Sequence, residues 1–267
     1  MIRLIKIELA KLTPYRTFWI LIVVFMALMV LVPMSGMEVL KSIKLSGTDL
    51  GGFDATKIPL YHFPDIWQNL TYFSKFINLI LGILVIIIIT NEFAFKTIRQ
   101  NVIDGMSRAD FIGSKVLFIL GLSILSTLFV LAIGLIMGSY YSPESEMRFM
   151  FKHIDFVFAF FLFTLNFLLF SMVIALLIKR AGMSIVLLLI YPIIESILRG
   201  LTPEFMMPIT AYFPFTAISN LIDFPLLRYA AQEIRDAVEL KDILLNLIYI
   251  PLLIGLGYQT ISKKNLT

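Results

Sequence analysis

Side chains able to do covalent or acid–base chemistry are sparse in this chain of 267 residues. There is no cysteine, which removes disulfides, thiolate metal sites and cysteine nucleophiles. The two histidines, His62 and His153, stand in separate connections without metal-ligand spacing, so a structural role is expected of each. No G-x-x-x-x-G-K-[ST] run occurs. Gly113-Ser114-Lys115 has the wrong order and lacks the strand-then-loop context that presents free backbone N–H groups to a phosphate. No H-E-x-x-H set occurs either. The expectation is a non-catalytic protein holding no cofactor or metal of its own.

The polar residues whose spacing suggests work are clustered in residues 91–115, NEFAFKTIRQNVIDGMSRADFIGSK, a basic break between two very apolar runs. Asp104 and Gly105 form a turn signal, and Ser107 suits the N-cap of a helix opening at Arg108 with Asp110 in its first turn. Upstream, Phe95, Ile98, Val102 and Ile103 give an apolar edge able to enter a groove, while Arg99 and Arg108 can donate charge-assisted hydrogen bonds to acidic groups. The chemistry such a segment supports is recognition of another protein. A solvated basic loop has the same spacing.

The elements that must carry this segment follow from composition. The chain is 59% hydrophobic and 15% charged, with 24 Phe, too little charge to cover a soluble core of this size. It reads as an all-α integral membrane protein forming a single transmembrane domain over 1–267. Six spans are expected at about residues 17–32, 72–90, 111–138, 154–178, 183–198 (interrupted by Pro192) and 243–260. The first resembles a signal sequence in plan, but Met34 and Gly36 make a poor cleavage site. Before it, residues 1–16 place Ile2, Ile5, Leu9 and Leu12 on one face and Arg3, Lys6 and Lys11 mostly off it, an interfacial amphipathic helix ended by Pro14. Trp67 and Tyr72 are expected as interfacial aromatics where span two begins. Residues 200–242 are apolar but broken by Pro203, Pro208 and Pro214, which predicts re-entrant or exterior helices between spans five and six. Residues 226–240 follow as a second amphipathic helix.

Within the spans, Asn78, Asn166 and Asn246 are expected to bond between helices, with Asn78 and Asn166 also candidates for lining a cavity. Glu195 and Arg199, four apart on span five, suggest an intrahelical ion pair or a gate contact. Gly134 and Gly138 form a Gly-x-x-x-Gly pair suited to close approach.

Charge assigns sides. The N-terminus, residues 91–115, Lys179/Arg180 and the tail hold 12 Lys/Arg against 4 Asp/Glu, whereas the longer opposite connections hold 10 against 14. Both termini and residues 91–115 are therefore expected in the cytoplasm. The net charge of +4 forms no patch, so nucleic acid is not expected as a partner.

Taken together, the basic helix leading into span one, Glu92 at the end of span two, Thr97-x-Arg99, Ser107-Arg108 and then Lys115 resemble the permease subunit of ABC-2 type transporters, whose pattern there is close to E-x-x-x-G-T-x-R, S-R and K. Phe95 and Lys96 stand where that pattern commonly has glycine. The likeness spans the chain in layout and is sharp over about 1–20 and 91–115. It implies a bacterial inner-membrane exporter: a dimer of six-span subunits in the lipid bilayer, each resting on a cytoplasmic ATP-binding subunit that supplies the ATP and magnesium chemistry. It further implies that Glu92, Thr97, Arg99, Val102, Ile103, Asp104, Gly105, Met106, Ser107 and Arg108 couple the two. An amphipathic, peptide or lipid-like cargo would pass between the subunits, lined by spans one, two and five. The alternative is a stand-alone secondary transporter, for which the internal repeat of broken spans is lacking, or another polytopic membrane protein.

Overall fold

A computed structural model describes residues 8, 10–46, 60–103, 105–225 and 237–262, excluding the side chains of 37–46, 99, 101 and 102. Every regular element among them is helical: α1 (Arg16–Ser46), α2 (Ile66–Ala94), α3 (Thr97–Ile103), α4 (Arg108–Tyr141), α5 (Asp155–Ile178), α6 (Ala181–Leu201), α7 (Met207–Thr210), α8 (Pro214–Ser219) and α9 (Leu240–Ser262). Short 3-10 turns cover Glu144–Phe149 and Glu204–Met206. Six of these helices, α1, α2, α4, α5, α6 and α9, are long and apolar enough to cross a membrane. The amphipathic stretch expected at 226–240 and most of that at 1–16 lie outside the described residues.

The bundle is built around α5. Its 24 residues carry no charge between Asp155 and Lys179 and no glycine or proline, and 83% of its span is buried inside the protein. Its two hydroxyls donate to their own helix: Thr164 Oγ1 to the Phe160 carbonyl at 2.8 Å and Ser171 Oγ to that of Phe167 at 2.8 Å. Helix α2, 67% buried, packs beside it, and the other four long helices, 17–28% buried, surround the pair. An apolar sequence thus sorts by what it can leave unpartnered, since hydrocarbon accepts exposed Ile, Val and Met side chains as readily as protein does.

Helix boundaries follow local chemistry. Residues 13–15 leave the helical path at Pro14 before α1 begins. Lys179 closes α5 in the left-handed region (φ 61°), its N–H on the Ala175 carbonyl at 2.9 Å, and Arg180 is extended before α6. Helix α1 extends the apolar run by its flank, through Pro33 to Ser46, because that run sets only the length that lipid can cover. One expectation fails: Pro192 does not interrupt α6, which is continuous around it.

Trp67 is a further correction. It is fully buried, its Nε1 donating to the Met150 carbonyl at 2.7 Å, while Tyr72 is half-buried. The Trp67 ring lies against Gly134, where an added Cβ would sit 2.6 Å from Cζ3, and the Phe63 ring covers Gly138 in the same way. The Gly-x-x-x-Gly pair therefore admits two aromatic rings in place of a helix backbone.

Candidate functional site

The break between α2 and α4 is shaped residue by residue. Helix α2 ends with the Phe95 N–H on the Asn91 carbonyl at 2.8 Å and the Lys96 N–H on that of Phe93 at 3.2 Å. Lys96 then takes φ 57°, a conformation that favours glycine. After α3, Gly105 turns the chain at φ 86° with open space around it. Ser107 caps α4 through a full capping box: its Oγ accepts from the Asp110 N–H at 3.0 Å, and the Asp110 carboxylate accepts from the Ser107 N–H at 3.3 Å.

Beneath this break lies a buried charge cluster. Lys115 Nζ is 2.8 Å from Glu8 Oε2 and 2.6 Å from Glu92 Oε1, and Lys11 Nζ is 3.1 Å from the same Glu92 oxygen. Ser114 Oγ donates to Glu8 Oε1 at 3.0 Å. Lys115 is 1% exposed, Glu8 4% and Glu92 6%. Asn91 Nδ2 reaches Tyr15 Oη at 2.9 Å, adding a second tie to the N-terminal segment. Two carboxylates and two ammonium groups cancel, which is how such charges survive out of water. A cavity of about 260 Å³ opens beside them, lined by Glu8, Lys11, Tyr15, Asn91, Glu92 and Thr97 among others. The arrangement joins the N-terminal segment, the end of α2 and the first turns of α4 through one set of ionic contacts.

The proposed contact residues separate in this frame. Ile103 (83% exposed) and Phe95 (73%) project outward, whereas Ile98 (4%) turns into the chain's own core and Met106 packs against it, so the apolar edge expected along 95–103 is divided. Thr97 Oγ1 bonds the Glu92 carbonyl at 3.4 Å. Arg108 Nη1 donates to the Ser262 carbonyl at 2.6 Å, satisfying the last turn of α9. The side chains of Arg99 and Val102, and Asp104 as a whole, lie outside the description.

Asn78 donates to Thr164 Oγ1 at 2.7 Å and accepts from Ser126 at 3.2 Å, binding α2, α4 and α5 together. Asn166 and Asn246 meet each other, Nδ2 to Oδ1 at 3.3 Å, and Asn246 also donates to the Ala217 carbonyl at 2.9 Å. Glu195 does not pair with Arg199, which is exposed. Its oxygens accept instead from the Phe215 N–H (3.0 Å), the Thr216 N–H (2.8 Å) and Thr216 Oγ1 (2.9 Å), because backbone donors freed at Pro214 outcompete a side chain that can turn outward. Among the described residues no group of His, Cys, Asp and Glu could hold a metal.

Sequence reasoning did not place Glu8 and Lys11 in the site, and named Lys115 only as the last residue of the motif and not as the partner of Glu92. The available signal was a lysine two turns inside an apolar helix, which requires a counter-charge from elsewhere. Compared with protein-family models and with curated proteins, the sequence matches none.

Proposed function

We propose that this chain is the permease subunit of an ATP-driven exporter of the ABC-2 type, working as a dimer in a bacterial cytoplasmic membrane with both termini inside. A separate cytoplasmic subunit binds ATP and magnesium. The observation that carries the reading is the short helix α3 at the end of the bundle where basic residues concentrate, with Phe95 before it and Ile103 at its end both exposed, while its root is tied by Glu92, Lys115 and Glu8 to two other elements. A push on α3 would be delivered to α2, α4 and the N-terminal segment as a unit. The apolar helices favour an amphipathic, peptide or lipid-like cargo.

The test is whether an adjacent reading frame encodes a P-loop ATPase, and co-expression of this chain with that ATPase. The pair should co-purify and hydrolyse ATP, and Phe95→Glu with Ile103→Glu should abolish co-purification while the permease still inserts, since both side chains are exposed. Unchanged co-purification in that variant, or solute flux driven by an ion gradient without nucleotide, refutes the proposal, the second result in favour of a secondary transporter.

A further inference from the structure

At the end of the bundle remote from the charged junction, the chain between α6 and α9 returns into the protein as broken helix. Ala217, Ile218 and Ile222 are each 0% exposed there. Backbone groups freed by such breaks must find partners in apolar surroundings, and here they find ionisable ones. At the front of α8, Glu195 of α6 accepts the Phe215 and Thr216 N–H groups and the Thr216 hydroxyl. Behind it, Lys75 of α2 donates to the Ile222 carbonyl at 3.0 Å, its Nζ lying 4.2 Å from the Tyr72 ring centre. Asn246 of α9 takes the Ala217 carbonyl between them.

The geometry points to Glu195 and Lys75 as the two jaws of a clamp that holds the 214–222 segment in the bundle as a plug, released when α2 and α6 move apart. The jaws stand on different long helices and grip opposite ends of one short segment. Separation of those helices would pull against both grips, and the Asn246 bond to Ala217 would keep the segment tethered to α9 when either lets go. The clamp belongs to this chain alone and needs neither nucleotide nor cargo to be tested.

The natural absence of cysteine permits single-cysteine labelling. Ala217→Cys on the plug and Ala159→Cys in α5, both fully buried, are made in full-length protein and exposed to a membrane-impermeant maleimide from outside the cell. In the otherwise unaltered chain both are expected to be protected. Adding Glu195→Gln, or Lys75→Met, should raise labelling at position 217 about tenfold or more, the scale of losing a charge-assisted hydrogen bond, and leave position 159 protected. No rise at 217 means that apolar packing alone holds the segment. A parallel rise at 159 means that the charges hold the whole bundle together. Either result overturns the clamp, as does labelling that requires the reagent inside.

Discussion

Replacing Lys115 by Met is the most demanding test of the charge cluster. The substitution keeps the length and apolar stem of the side chain but removes the ammonium that touches Glu8 at 2.8 Å and Glu92 at 2.6 Å. Lys11 stays in place, 3.1 Å from Glu92 and 3.9 Å from Glu8, with a third of its side chain exposed. It therefore screens one carboxylate only in part, leaving two buried carboxylates against one half-solvated cation. Breaking a buried pair by deleting one partner costs about 3–5 kcal/mol. Lys11→Ala, at the solvated edge, should cost only about 0–1 kcal/mol. The assay is reversible unfolding of purified protein in mixed micelles, with Glu92→Gln and the Glu92→Gln/Lys115→Met pair completing a double-mutant cycle. The pair should cost less than the sum of the singles, since removing both ends leaves fewer stranded charges. If Lys115→Met costs no more than Lys11→Ala, or if the cycle is additive, the four residues are not a network.

Lys96→Gly should stabilise the protein by about 0.5–1 kcal/mol, because φ 57° strains a residue with a Cβ, read in the same unfolding assay. Gly138→Ala should destabilise by about 1–3 kcal/mol, since the new methyl meets the Phe63 ring, whereas Gly121→Ala, with nothing within 4 Å, should be neutral or stabilising; equal effects at the two glycines would refute the ring-seating account. Tyr61 lies before α2 and its hydroxyl donates to the Pro33 carbonyl at 2.7 Å. Burial first, and neighbouring Tyr141 second, push its pKa up from 10.0 to about 12. Folding thus favours the protonated phenol: its contribution is complete below pH 10 and is lost as pH rises toward 12, so Tyr61→Phe should flatten that alkaline loss at a cost near neutrality of about 1 kcal/mol.

What the sequence made legible was local. The Ser107 cap, the Gly105 turn, the break at Pro14 and the end of α5 at Lys179 each depend on a few neighbouring residues, and each stands where spacing placed it. The six long apolar helices were equally readable, because lipid demands length and composition of each one separately. What stayed hidden depends on partners far along the chain. Glu8 and Lys115 are 107 residues apart, and nothing in a helical pattern says which acid a buried lysine will meet. Glu195 shows how proximity misleads. Arg199 is the near partner by spacing, but it can turn away from the bundle, while the Phe215 and Thr216 N–H groups, stripped of helical acceptors, have nowhere else to go. Trp67 failed for a related reason: an aromatic at a span entrance suits the interface until a glycine on a neighbouring helix leaves room for its ring.

The two ends of the bundle use charge in different ways, and the difference bears on what can move. At the basic end cation meets anion, and a slip of the N-terminal segment along α4 would leave Glu8 or Lys115 buried alone, a cost of several kcal/mol that no apolar contact nearby can offset. That end is all-or-none: Glu8, Glu92 and Lys115 travel together or separate together. At the other end Glu195 holds two backbone N–H groups, and Lys75 holds one carbonyl with the Asp223 charge nearby, so the Glu195 grip can open without stranding an opposite ion. Apolar surfaces such as the outward face of α6, exposing Met183, Val186 and Ile193, place no comparable restriction on sliding. On the proposed function, a displacement that began at α3 would move the ionic end as one unit, and the segment held by Glu195 and Lys75 is where the proposed clamp would let it become a local opening.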